Sequence, residues 1–420
     1  GFSSDGRYIV YTRRGGRGEG SRSSIIYVDA KSEVPLVTGT YSAESPVWTP
    51  DDPRIVFVSD RGGSPGLWSI RVADGKPLGE PELLKADFSN AQAMGFARDG
   101  SLYYVVDLDQ TDIYIAGLDP ATGKLTSEPR RVNERAVGNS WGRIAWLPDG
   151  KSLSFWNRYP PGTLVVHTVS TREEREIWGG KSGRGGPGYT GWFPDGHTLM
   201  SWQQNGQSRV FRRVDSRTGE AQATWTVPDF PSGSSMPVFS PDLMTMFCSR
   251  KDQTVPCEGI KCTYVTLARD LETGRDREIF RIKATFLVLR GEPISHDGRD
   301  IAFAVWDGLA YVVMVAPTAG GPPRELYRVT DGGRFAGITW AQDGGHVLAL
   351  RRGPSGGELW SIPTKGGSPE KSPLHVLPSG DPVPVVSPDG TQIAFVGGNS
   401  KSEIWVMTGL FQDAKPAPAR

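Results

Sequence analysis

Gly62-Gly63-Ser64-Pro65-Gly66 satisfies the G-x-S-x-G pattern in which a serine attacks an acyl carbon. That chemistry needs the serine on a sharp strand-to-helix turn, and here strand-like segments, Val56-Phe57 and Leu67-Trp68, flank it on both sides. Ser64 reads as a hairpin-loop residue. Gly179-Gly180-Lys181-Ser182 has the end of a phosphate-cradling loop, yet Arg175 stands where its first glycine is required and no helical pattern follows. Asp107, Asp109 and Asp112 crowd one inter-strand loop, but the calcium-loop pattern fails: its sixth position is Asp112 instead of glycine and its twelfth is Leu118 instead of glutamate. The five histidines, His167, His197, His296, His346 and His375, have no HExxH or paired spacing, so no metal site is assigned. No catalytic residue and no cofactor is expected.

Three cysteines, Cys248, Cys257 and Cys262, lie close together in sequence. A bridge between Cys257 and Cys262 would staple a loop tip and imply an oxidising compartment, and Cys248 would then sit in a strand. Free thiols are the alternative, and a metal would need a fourth ligand that no nearby histidine supplies. Arg13, Arg14, Arg17 and Arg22 line a glycine-rich loop that reads as a solvated hairpin.

Composition narrows the elements that must hold these residues. Among 420 residues, 53 are glycine and 33 proline, which argues against a mainly helical protein. Lys+Arg and Asp+Glu balance at 47 each, so no global field favours nucleic acid or an anionic membrane. The longest apolar run, residues 309 to 316, is too short to span a bilayer. The chain opens without an initiator Met or a signal-peptide pattern, and further sequence upstream is expected.

Self-similarity then sets the architecture. A turn built on aspartate recurs at Asp5, Asp51, Asp99, Asp149, Asp195, Asp242, Asp297, Asp343 and Asp389, at intervals of 46, 48, 50, 46, 47, 55, 46 and 46 residues. Three residues before each comes a bulky apolar side chain, such as Trp146, Trp192 or Trp340, and four residues after comes another, such as Leu153, Leu199 or Val347. Between turns the pattern alternates with period two, as in Ile301-Ala302-Phe303, with turn signals about every ten residues. Such units read as four-stranded propeller blades. The carboxylate is expected to accept backbone N–H groups, and the following glycine to supply a positive φ. Turns at Asp242, followed by Leu243, and at Asp297 and Asp343, which lack the proline, are expected to be looser.

The units resemble the WD-like repeats of the TolB-type β-propeller family, most cleanly at Val386-Ser387-Pro388-Asp389-Gly390-Thr391-Gln392-Ile393-Ala394-Phe395. Nearly the whole chain is covered. The expected fold is an all-β propeller of nine four-stranded units, with eight blades as the alternative. A single propeller would span 1–407, with 408–420 as tail or linker.

That resemblance implies a periplasmic or extracellular scaffold, a sensor region, or the gating domain of a prolyl-oligopeptidase-like enzyme. The leading expectation is a non-catalytic propeller that binds protein or peptide, or serves as the sensory or assembly module of a longer envelope or extracellular protein. The alternative is the propeller of a serine peptidase whose hydrolase domain is absent. Ligand binding is expected at the loops joining one blade's fourth strand to the next blade's first, through Glu44, Gln92, Asn139, Trp141, Tyr189, Ser235, Arg290, Glu292, Arg334 and Asp381. Nucleic acid is not an expected partner, no transmembrane segment is expected, and self-assembly would use the incomplete terminal blades.

Overall fold

The computed structural model describes residues 1–13, 21–29, 32–39, 41–50, 53–89, 91–107, 110–133, 144–157, 163–179, 188–205, 208–228, 230, 237–331, 333–353, 356–375, 383–399 and 401–411. Strands and turns account for its regular structure, and among the described residues no helix is long and apolar enough to cross a membrane. The fold is of the β-propeller class, and the described residues form nine antiparallel sheets, seven four-stranded and two three-stranded.

Each repeat is started by its aspartate. Asp149 accepts the backbone N–H of Lys151 at 2.8 Å, Asp297 that of Arg299 at 3.0 Å, and Asp389 that of Thr391 at 3.0 Å. The bond fixes a tight reversal, and Gly150, Gly298 and Gly390 complete it with φ of 66°, 74° and 74°. The turns expected to be looser are not. Asp242 accepts from Met244 N–H at 3.0 Å while Leu243 takes φ of 62°. Leu243 bears the left-handed strain of about 1–2 kcal/mol, and its side chain is buried against Phe193 and Met246 in compensation. Asp343 accepts from Gly345 N–H at 2.7 Å without help from proline. Asp51 lies outside the described residues.

The chain divides into two compact units, 110–399 and 1–109 with 400–420. In the first, six four-stranded sheets make a closed circuit. Apolar clusters join each sheet to the next: Leu164 and Val166 meet Trp192 and Leu199, Phe211 meets Phe239, and Phe280 stacks on Phe303 with ring centroids 4.5 Å apart. Val313 meets Trp360, Leu348 meets Phe395, and Val396 meets Phe155. Strands such as Asp300–Trp306 are buried along nearly their whole length because neighbouring sheets cover both faces, so their sequence is a continuous apolar run.

The circuit closes by strand exchange. The repeats at Asp99 and Asp389 were each expected to supply a hairpin of their own. Instead, Gln110–Gly117 pairs with Gln392–Asn399, from Gln110↔Asn399 to Gly117↔Gln392. The sheet so formed runs Arg130–Arg131, Gln110–Gly117, Gln392–Asn399, Val385–Val386. Indole N–H groups tie sheets together: Trp340 Nε1 donates to Pro293 O at 2.8 Å, Trp192 Nε1 to Ser154 Oγ at 2.8 Å, and Trp146 Nε1 to Val385 O at 3.2 Å across the closure.

In the second unit, the sheet Tyr8–Arg13, Arg22–Tyr27, Glu33–Pro35 packs on the sheet Ala43–Trp48, Arg54–Ser59, Gly66–Ala73, Lys76–Lys85 through Val10, Ile25, Ile55 and Phe57. The latter sheet packs through Val56 and Leu67 on Leu102 and Tyr104 of a third. That third sheet holds the other half of the exchange, with Leu102–Asp107 between Ala91–Phe96 and Ser402–Met407. Among the described residues two of the nine sheets have three strands, because Phe2 contributes only a bridge to Ile9 and the last repeat divides its strands between sheets. The described sheets divide as six in 110–399 and three in 1–109 with 400–420. Of the expected tail or linker 408–420, Leu410 and Phe411 pack on this unit's core, and 412–420 lie outside the described residues.

Trp146 is 7% exposed and Trp340 2%. Replacing either with alanine is expected to cost ~3–5 kcal/mol in urea denaturation, through lost burial and the cavity left behind. Trp146→Phe should cost less, because it keeps most of the ring and loses the N–H to Val385. A loss below ~1 kcal/mol for both alanine variants would contradict the sheet-to-sheet role of the indoles.

Candidate functional site

Antiparallel pairing places the start of a first strand beside the end of the second and the start of the third. In the sheet of Phe286–Val288 this sets Phe286 opposite Trp306 and Trp306 opposite Tyr311, with the last two rings 4.8 Å apart. Fourth-to-first connections and hairpin tips therefore share one edge of each sheet. On that edge, Arg334 begins the first strand Arg334–Trp340, and its guanidinium lies 6.0 Å from the Phe286 ring centre.

Arg290 and Glu292 follow the first strand Phe286–Val288 and flank Ile338, midway along the adjoining first strand that Arg334 begins. Ile338 N–H donates to Arg290 O at 3.2 Å, and Glu292 N–H donates to Ile338 O at 3.1 Å. Between them Gly291 has φ of 107°, and a Cβ there would fall 2.0 Å from Ile338 O, so only glycine permits the approach. Glu44 and Gln92 lie elsewhere, in the unit formed by 1–109 with 400–420: Glu44 is half-buried in Ala43–Trp48 and Gln92 exposed in Ala91–Phe96. Tyr189 falls in the strand Gly188–Trp192. Asn139, Trp141, Ser235 and Asp381 lie outside the described residues.

Two hairpin tips in 110–399 hold exposed apolar side chains that the sequence reading did not select. One spans Cys257 to Cys262, whose sulfurs are 2.04 Å apart. Within it Glu258 and Lys261 exchange backbone hydrogen bonds of 2.8 and 3.0 Å, Gly259 takes φ of 60°, and Lys283 Nζ donates to Glu258 Oε1 at 2.6 Å. Ile260 at its apex is 67% exposed. The other tip turns on Asp307, whose Oδ1 accepts the N–H groups of Leu309 and Ala310, each at 2.9 Å, while Arg328 grips the second oxygen. Partial burial pushes the Asp307 carboxyl up, but Arg328 and the two N–H groups outweigh it and hold it at about 2. Leu309 is 82% exposed. A sequence cue existed in each case: an apolar residue immediately after the glycine of a turn.

The remaining chemical candidates resolve into structural roles. Ser64 is exposed in the hairpin turn between Arg54–Ser59 and Gly66–Ala73, as expected. Asp107 accepts from Ser402 Oγ at 2.7 Å and buried Asp112 from Asn133 Nδ2 at 2.9 Å, and Asp109 lies outside the described residues. Among the described residues no group of three or more His, Cys, Asp or Glu side chains is arranged to hold a metal. His167 is buried within 3.4 Å of Glu174; burial lowers its pKa and Glu174 opposes the shift. Burial pushes the Cys248 thiol up to about 11, which keeps it protonated and unreactive. Arg13 and Arg22 face each other across an exposed strand pair, with Arg14 and Arg17 outside the described residues.

No protein-family model and no curated protein matches the chain. Solved structures similar in fold include TolB from Acinetobacter baumannii, at 15% identity over 88% of this chain and 68% of that one with a TM-score of 0.31. A putative TolB from Agrobacterium tumefaciens is 16% identical over 69% of this chain and 99% of that one, with a TM-score of 0.44. The β-propeller domain of the Trilobed protease from Pyrococcus furiosus, whose topology is described as open velcro, is 12% identical over 86% and 94%, with a TM-score of 0.37.

Alkylation of the unreduced protein followed by mass spectrometry should leave Cys257 and Cys262 protected and modify Cys248 only after denaturation. The bridge closes a short loop, so reduction should loosen that tip and change global stability by no more than ~2 kcal/mol. Three alkylated cysteines in the unreduced, denatured protein would refute the bridge.

Proposed function

We propose that this chain is a non-catalytic β-propeller scaffold that binds protein or peptide, acting as the sensory or assembly module of a longer envelope or extracellular protein. The observation that supports this reading best is the placement of exposed Arg334 over the exposed ring of Phe286, on first strands locked together at Gly291. Arginine beside an accessible aromatic is the composition of an interaction hot spot, and a rigid support lowers the entropy lost on binding.

A second contact, with another copy of the chain, is favoured by the strand Ser402–Met407. It ends its three-stranded sheet and exposes Ile404, Trp405 and Val406. An edge strand with apolar side chains and an unpaired backbone row is a template for strand addition.

Two measurements test the proposal. A fluorophosphonate probe should leave Ser64 unlabelled, whereas stoichiometric labelling would replace the scaffold reading with a hydrolytic one. Panning a random peptide library on the chain should yield ligands whose affinity falls about tenfold or more in Phe286→Ala and Arg334→Ala. A library that yields no ligand, or ligands indifferent to both variants, would contradict binding at this edge.

A further inference from the structure

We propose that the edge built from the tips at Ile260 and Leu309, together with Phe286, Lys261 and Arg334, is a docking site for an acidic segment that carries a large apolar side chain. This rests on the binding reading above and specifies the partner's chemistry.

The parts form one patch. A methyl group placed on Gly308 would lie 3.7 Å from Ile260 Cδ1, 3.7 Å from Lys261 Cε and 3.6 Å from Thr285 Oγ1. Leu309 follows Gly308 in the chain and Phe286 follows Thr285, so the stapled tip of one sheet touches the tip and first strand of the next. Arg334 of the following sheet reaches over Phe286. Two adjacent sheets thus contribute Ile260 and, from the second, Leu309 and Phe286, which are among the most exposed large apolar side chains described in 110–399, and a third sheet adds Arg334.

Neither tip is free to fold its apolar residue inward. The Cys257–Cys262 bridge and the paired backbone groups of Glu258 and Lys261 fix one. The carboxylate of Asp307 fixes the other through two backbone N–H groups. Apolar side chains held in water on rigid turns gain when a partner covers them, and little ordering entropy opposes it.

Charge selects the partner. The acids around the patch are already engaged: Glu258 by Lys283, Asp307 and Glu325 by Arg328. Lys261 and Arg334, in contrast, meet no carboxylate among the described residues. Arg328 serves two carboxylates, so Lys261 and Arg334 leave the patch with one net positive charge, which complements carboxylates that flank an apolar anchor and disfavours a basic segment.

Fluorescence anisotropy on the full chain tests this with three labelled decapeptides: a central Leu-Phe pair flanked by glutamates, by lysines or by serines. The glutamate peptide should bind about tenfold or more tighter than the lysine peptide, with the gap narrowing at high salt. Leu309→Asp should abolish the interaction without lowering the melting temperature, because that side chain packs on little. The double variant Lys261→Glu with Arg334→Glu should reverse the preference toward the lysine peptide. Equal binding of all three peptides, or a preference unmoved by the double variant, would overturn the proposal. If library-derived peptides bind at Phe286 while the glutamate peptide does not, the partner chemistry fails and the scaffold reading stands; if neither binds, both fail.

Discussion

The antiparallel pairing of Gln110–Gly117 with Gln392–Asn399 makes 110–399 a closed unit, and its other features depend on that seam. Every sheet buries both faces only because each has a neighbour on either side. Without the seam sheet, an open row of the other five would leave two apolar faces in water, Trp146 and Phe155 at one end and Leu348 at the other. Closure also sets the Trp146 N–H against Val385 O and lets Ser361 Oγ donate to Thr122 O at 2.6 Å, both across 239 residues of sequence. Turns at the seam leave no room for larger residues: a Cβ on Gly123 would approach Leu348 Cδ2 to 2.6 Å, and one on Gly390 would approach Gln342 Cβ to 2.5 Å. With the ring shut, its sheet edges are rigid mounts, and differences between loops become differences in surface chemistry.

The repeat was legible in sequence because it rests on local chemistry. An aspartate that accepts its own turn's N–H groups, a glycine that takes positive φ and two apolar anchors at fixed offsets need no knowledge of distant residues. Strand partners were not legible. A period of two states which face of a strand is buried and says nothing about which strand lies alongside. Leu102–Asp107 and Gln110–Gly117 adjoin in sequence and read as one hairpin, yet each pairs with a strand from the end of the chain. Leu243 shows another limit: as a β-turn residue it looked like a defect, whereas burial of its side chain supports the strained backbone.

Legibility at the candidate site follows the same division. Arg334 could be placed on the loop edge from the order of strands alone. Ile260 and Leu309 could not, because an apolar residue after a turn glycine is as readily buried as exposed, and only the packing of adjacent sheets decides. The cysteine pair was recognisable from its spacing, but its place beside Gly308 and Thr285 of the neighbouring sheet is a property of the ring. Fold alone assigns no activity, since propellers hold many functions, so the functional reading stands on the exposed chemistry of this edge.

Closure of 110–399 is the central claim, and a fragment limited to those residues tests it most directly. If strand exchange completes the ring, the isolated fragment will be monomeric, all-β by circular dichroism, with blue-shifted tryptophan emission and a single cooperative unfolding transition. A fragment that aggregates, or unfolds gradually with solvent-exposed tryptophan emission, would contradict a self-contained ring and show that its closure needs the rest of the chain.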